Sequence, residues 1–216
     1  MNGKKYAENI SQLALANVDF DMQNRHHISY NLMMIHANTQ SVGDYNGKNS
    51  IFSDDYENLG FTRRQQTNDN MLIVNQLMSN WGLTKSLSLD AGASYNMVKG
   101  YEPDRRINNL TKAEDGYTLL RGNSQQRHFS TLDEDDLNVK AGLVYRLKDN
   151  IEEISNVRFG YTGRFVDDNF KATEYNLTVG HVYTIPSLDN FSLDDYYNQE
   201  NFASDWFKIQ KNLDEY

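Results

Sequence analysis

The chain has 216 residues, 21 Lys+Arg against 30 Asp+Glu, a formal net charge of −9 and no cysteine. That length allows one domain or two. The negative charge argues against a binder of nucleic-acid backbones, which needs a basic stripe. The missing cysteines remove disulfides, thiolate zinc sites and cysteine nucleophiles together.

No apolar run approaches the about 20 residues of a transmembrane helix. Mean hydropathy is −0.74 and 38% of residues are hydrophobic, which is poor for a water-soluble core of this length. Yet 12% are aromatic, including 14 Tyr, and disordered chains are depleted in aromatics. Lys4 and Lys5 could open a targeting signal, but Tyr6–Gln12 supplies no apolar stretch after them. No signal peptide is therefore expected, and the chain reads as cytosolic or as a segment of something longer.

In chain order, Ala14, Ala16, Val18, Phe20 and Met22 alternate with Leu15, Asn17, Asp19 and Asp21, the period-two pattern of a strand. A short polar turn follows at 23–27. Around 28–37 and 70–81 the residues are strand-like, but apolar side chains fall on both faces and neither face is assigned. A hairpin-sized link at 82–85 leads to the clearest strand, 86–98. There Leu87, Leu89, Ala91, Ala93, Tyr95 and Met97 oppose Ser86, Ser88, Asp90, Gly92, Ser94 and Asn96. Residues 136–147 repeat the pattern, with Val144 the single apolar residue on the polar side. After a link at 148–154, residues 156–165 set Val157, Phe159, Tyr161 and Phe165 against Arg158, Thr162 and Arg164. Helical spacing is scarce before residue 187. It suggests a short helix at 203–213, with Ser204 as N-cap and Trp206, Ile209 and Leu213 on one face.

Short links alternate with long ones, at about 38–69 and 99–135. A transmembrane β-barrel has this rhythm: short turns on one side, long loops on the other, and strands of about 9–11 residues that are apolar outside and polar inside. The expected fold is all-β. It is an antiparallel up-and-down meander, a partial transmembrane β-barrel of about six strands with long extracellular loops. Residues 1–166 form its three hairpins and residues 167–216 an extracellular loop region. Leu87, Leu89, Tyr95, Leu143, Tyr145, Phe159 and Tyr161 are expected to face lipid. Asp90, Lys140, Arg146, Arg158 and Arg164 are expected to face the lumen. Trp81, Tyr95, Tyr145 and Tyr161 stand where an interfacial girdle would. Only a thin outward band need then be apolar, which accommodates the low hydropathy.

Residues 63–70, Trp81-Gly82, Ser88–Tyr95, Glu102–Arg106, Leu119–Asn123 and Asp136–Tyr145 resemble the barrel of TonB-dependent outer-membrane receptors. They are most similar to the type that carries a carboxypeptidase-regulatory-like extension before its plug. The resemblance covers most of the chain as a middle slice of the barrel. It implies energised uptake of a nutrient or chelate across the cell outer membrane. Lipid, the remainder of the barrel, the plug and a nutrient ligand at the loops would be the partners, with TonB acting only through the plug. No stretch here matches a plug or an energy-coupling box, and Asn212–Tyr216 lacks the alternation of a terminal insertion signal.

No catalytic constellation accompanies this pattern, so neither an enzyme nor a cofactor is expected. Glycine-rich phosphate loops and nucleophile elbows are absent. His26, His27 and His36 read as turn and strand residues, and His128 and His181 as isolated loop residues. The acidic run 133–136 lacks the spacing of a calcium loop and reads as a solvated strand entrance. Asp54-Asp55, Asp167-Asp168 and Asp194-Asp195 are adjacent and point apart, unlike a glycosidase pair. The rival reading is a soluble or surface-exposed β-rich binding module for glycans or adhesion, in which the same apolar residues would lie beneath a second sheet.

Overall fold

The structure is a computed structural model that describes residues 2–23, 25–48, 59–119, 122–150, 153–188, 192–193 and 195–215. It is almost entirely β. The long strands are β1 (Asn2–Met22), β2 (His26–Lys48), β3 (Leu59–Gly82), β4 (Leu87–Ala113), β6 (Gly122–Asn150) and β7 (Glu153–Val179). Shorter pieces are β5 (Gly116–Leu119), β8 (Thr184–Ile185), helix α1 (Gln199–Ala203) and β9 (Phe207–Glu215). All the strands belong to one antiparallel sheet in the order β1-β2-β3-β4-β6-β7-β9, with β5 paired to β4 and β8 beside β5. The sheet does not close.

The expected strands at 86–98, 136–147 and 156–165 lie within β4, β6 and β7, but each strand runs much further. The connections expected as long loops at 38–69 and 99–135 are mostly strand. Asn38 through Lys48 pair with Asp69 through Leu59, and Gly100 through Ile107 face Leu132 through Gln126 across one bulge. Residues 49–58 and 120–121 lie outside the described residues. Of the link expected at 148–154, residues 148–150 and 153–154 are strand, with Asn150 opposite Glu153, and residues 151–152 lie outside the described residues. Beyond the apolar zone both faces carry mostly polar residues. Polar residues then alternate with polar residues, and a hydropathy pattern loses the strand while its backbone ladder continues.

The helix expected at 203–213 is displaced. Asn198 caps α1, its side-chain oxygen accepting from the Asn201 N–H at 2.8 Å, and Ser204 closes the helix instead of opening it. Asp205 takes a positive φ of 57°, and residues 207–215 pair with the upper part of β7. Backbone pairing to an open strand outweighs a weak i, i+3, i+7 pattern. The region assigned to loop from residue 167 accordingly begins as strand, since β7 continues to Val179.

The buried core sits at the end of the sheet remote from the short turns. Phe61, Leu110, Leu119, Leu177, Val179, Ile185, Leu193, Tyr196 and Phe207 form it. Tyr196 is fully buried. Its hydroxyl lies 2.8 Å from the Trp206 carbonyl oxygen and 3.1 Å from that of His181. The Trp206 oxygen also accepts from the backbone of Gly180 and His181, so the segment between β7 and β9 folds back as a cap. Gly116 is required beneath it. Its φ is 141°, and a Cβ there would drive into the carbonyl oxygen of Ile185.

Candidate functional site

Residues opposite one another in a sheet share a face, so the register sorts the side chains. Four consecutive rows cross all six long strands. The first holds Met22, His26, Trp81, Leu89, Leu143 and Phe159. The second holds Phe20, Ile28, Ser79, Ala91, Ala141 and Tyr161. Val18, Tyr30, Leu77, Ala93, Val139 and Gly163 follow, then Ala16, Leu32, Asn75, Tyr95, Leu137 and Phe165. None is Asp, Glu, Lys or Arg. Leu87, Tyr145 and Val157 extend the band toward the turns. All seven residues expected to face lipid therefore share one face. Among the described residues no second layer covers it: Phe159 is 80% and Tyr161 65% exposed, while Leu87 and Leu89 are half-buried among their neighbours.

The opposite face is polar over the same rows. Asp90, Lys140, Arg146, Arg158 and Arg164 all lie on it. Asn17 donates to Asn31 at 2.6 Å, Asn31 to Gln76 at 3.4 Å, and Asn80 bonds Asp90. Asp136, almost fully buried, receives the Arg164 Nε at 3.2 Å on both oxygens and Asn138 at 2.9 Å. Val144, the apolar exception, is buried on this face. Leu13, Leu15, Met33, Ile35, Leu72 and Val74 also lie here, and the last four are why no face was assigned around 28–37 and 70–81.

Asn75 and Ser79 interrupt the apolar face and are satisfied, whereas the buried Nδ1 of His26 has no hydrogen-bond partner among the described residues. Asn75 accepts from the Tyr30 hydroxyl at 2.8 Å and donates to the Tyr95 carbonyl at 3.4 Å, and the Ser79 hydroxyl donates to the Ala91 carbonyl. At the upper margin Tyr95 donates to Asp135 at 2.8 Å. A polar group removed from water costs free energy unless it is hydrogen-bonded, so the bonds of Asn75, Ser79 and Tyr95 suit a dry surrounding, with His26 Nδ1 the exception.

The histidines scatter. His26 packs on Trp81 with ring centroids 4.9 Å apart, His27 reaches Asp21 at 2.8 Å, and His36 reaches Asp69 at 2.5 Å. His128 is not in a loop: it stands in β6 between Glu102 at 3.6 Å and Glu174 at 3.9 Å. His181 stacks on Trp206. The acidic run 133–136 lies inside β6, not at a strand entrance. Asp167 and Asp168 lie within β7, opposite Asp135 and Glu134. Asp54, Asp55 and Asp194 lie outside the described residues.

Sequence reading missed one arrangement at the capped end. Arg63 forks onto Asp44, with Nε and Nη2 each 2.7 Å from a carboxylate oxygen. Arg127 forks onto Asp104 at 3.0 and 2.5 Å, and Arg106 Nε donates to the same carboxylate at 2.5 Å. The register of β4 against β6 slips between Glu102 and Arg105, the stretch that holds Pro103, which has no N–H to give a ladder. A proline amid strand residues was the signal for this bulge.

Asp104 lies beyond the apolar band. Burial pushes its carboxyl up, but hydrogen bonds and charge from Arg127 and Arg106 outweigh that and hold it below its ordinary value of 3.8. The unfolded state then binds more protons between the two values. Stability from this group is full above 3.8 and is lost as pH falls through the folded value. Denaturant titrations from pH 5 downward should show falling stability, and Asp104→Asn should flatten that part of the profile. An acid limb unchanged by the substitution would exclude Asp104 as its source.

No family model matches the chain, and no curated protein matches it. Among the described residues no helix is long and apolar enough to cross a membrane, which says nothing of crossing by strands.

Proposed function

We propose that the chain is a barrel-wall segment of a TonB-dependent outer-membrane receptor, serving energised uptake of a nutrient or chelate across the cell outer membrane. The observation that carries this reading is the charge-free apolar band, continuous across six strands and, among the described residues, covered by no second layer. From Leu87 to Tyr95 is eight residue steps, about 26 Å along the strand at roughly 3.3 Å per residue. A tilt of about 40° reduces that to about 20 Å of height, most of the about 25 Å outward band of such barrels. The running-sequence resemblance supplies the family, and the long strands that continue past the band agree with tall barrels.

In this reading lipid contacts the band, and further strands of the same barrel pair with the open edges of β1 and lower β7. A plug fills the polar side, TonB acts through that plug, and the nutrient meets the capped end and neighbouring loops. The reading calls for neither catalysis nor a cofactor, and nucleic acid has no place in it.

The chain has no cysteine, so single cysteines report cleanly. In membranes, Leu89→Cys and Leu143→Cys should resist a water-soluble maleimide, while Asn138→Cys and Thr162→Cys on the other face should react. Equal labelling of both faces in the folded chain would overturn the receptor reading.

A further inference from the structure

Two hollows run together on the polar face. One, of ≈ 560 Å³, is bordered by Asn80, Asp90, Val144 and Arg158; the next, of ≈ 420 Å³, by Gln76, Ser94, Asn138 and Arg164. They share Met78, Lys140 and Thr162, so they form one trough. From Val144 to Asn138 is six residue steps, about 20 Å along β6. Gly142 and Gly160 face each other across β6 and β7 and leave part of the floor bare.

Charge along this trough is lopsided. Lys140 and Arg158 line it, and Arg146 stands in the next row of the same face toward the turns. All three are exposed, and none of their side chains makes a hydrogen bond or ion pair among the described residues. The one carboxylate among the described lining residues is Asp90, hydrogen-bonded to Asn80. Arg164 is balanced by Asp136, and Asp19 and Asp21 on β1 are taken up by His27. The chain as a whole is at −9, so three unpaired cations gathered on one face call for carboxylates from elsewhere. From Lys140 to Arg146 is about 20 Å along the strand, too wide for one phosphate or carboxylate and suited to several acids along a chain.

An apolar shelf adjoins the trough. Leu15, Met33 and Val74 form the row after Gln76 and Asn138, and Leu13, Ile35 and Leu72 the row after that. Leu13 and Leu15 are exposed. Contiguous apolar side chains on an otherwise polar face mark an interaction site, and an apolar centre inside a polar rim is the make-up of a protein–protein contact.

We propose that trough and shelf dock an acidic polypeptide segment that also carries apolar side chains. Its carboxylates reach Lys140, Arg146 and Arg158, and its apolar residues rest on Leu15, Met33 and Val74. A lipid headgroup is the wrong occupant, because the surface lies on the face opposite the apolar band. The inference rests on the receptor reading, in which a plug fills this side, and adds the chemistry of the part that reaches the turn end.

The test is fluorescence anisotropy of labelled dodecapeptides, titrated with the full chain in neutral detergent micelles at low ionic strength, with empty micelles as the blank. Alternating Glu and Leu should bind saturably, alternating Glu and Ser several-fold more weakly, and alternating Lys and Leu not at all. Lys140→Gln, Arg146→Gln and Arg158→Gln together should weaken the Glu-Leu peptide at least about tenfold through lost charged contacts. The unfolding transition should not move, since these side chains have no partner among the described residues to lose. Lys4→Gln, Lys85→Gln and Lys112→Gln together remove the same charge elsewhere and should leave the affinity unchanged. No saturable binding, equal affinity for the Glu-Ser or Lys-Leu peptide, or equal losses from the two triple variants would overturn the docking surface. The maleimide pattern at Leu89→Cys and Asn138→Cys does not depend on the peptide, so a failed titration beside one-faced labelling removes the docking surface and leaves the receptor reading in place.

Discussion

Leu77→Arg should cripple folding into a bilayer, while Gln76→Arg, one residue away, should be nearly neutral. Leu77 stands in the third row of the apolar band, beside Ala93 and Tyr30. An arginine near the midplane of an outward barrel face costs about 2–4 kcal/mol, a large part of a typical stability of about 5–15 kcal/mol. Gln76 lies on the opposite face, in a row with Asn31, Ser94, Asn138 and Arg164, where another guanidinium finds acceptors. The soluble reading predicts something else. Leu77 is 51% exposed, and exposed substitutions in water usually stay within about 0.5 kcal/mol. Reversible urea titrations in phosphatidylcholine vesicles compare the two variants directly. Equal, small effects at 76 and 77 would remove lipid from the account of this face.

The same geometry explains how much of the fold could be read beforehand. In β4, Leu87, Leu89, Tyr95 and their partners alternate with Asp90, Ser94 and Asn96, so strand and faces were both readable. In β2 and β3, Met33, Ile35, Leu72 and Val74 put apolar groups on the polar face, and alternation failed although the strands are as regular as any. Above the band the failure was of another kind. Asp44 with Arg63 and Thr62 with Asn109 are cross-strand polar pairs. They hold a ladder together as well as leucines do, but leave no period in hydropathy. The arginine clamps depend on register and on one bulge between Glu102 and Arg105. Single-sequence patterns do not carry that information. Pro103 marked the place without saying which carboxylate it would deliver.

In plain buffer the isolated chain should not run as a monomer. Among the described residues strand β1 has a partner only in β2, so its other edge presents a row of unpaired N–H and C=O groups. That edge also carries Tyr6, Ile10, Leu13, Leu15, Val18 and Phe20, all largely exposed. Only Lys4, Lys5, Glu8, Asp19 and Asp21 supply charge along it. A long apolar edge strand templates pairing with another chain. The second edge is lower β7, because β9 covers β7 only from Ala172 to Val179. Beside these edges lies the apolar band, far larger in extent than the isolated surface patches of soluble monomers. In water both features drive association, whereas detergent covers the band and leaves only the edges. Size-exclusion chromatography with light scattering should therefore show large species in buffer and smaller ones in micelles. Leu13→Lys with Leu15→Lys, which charges the β1 edge on the polar face, should shrink the detergent-bound species further and leave the behaviour in buffer largely unchanged. A sharp 25.0 kDa monomer in buffer, with a cooperative thermal melt, would instead mean that this sheet is stable with its apolar face in water, and would favour the binding module over the barrel wall.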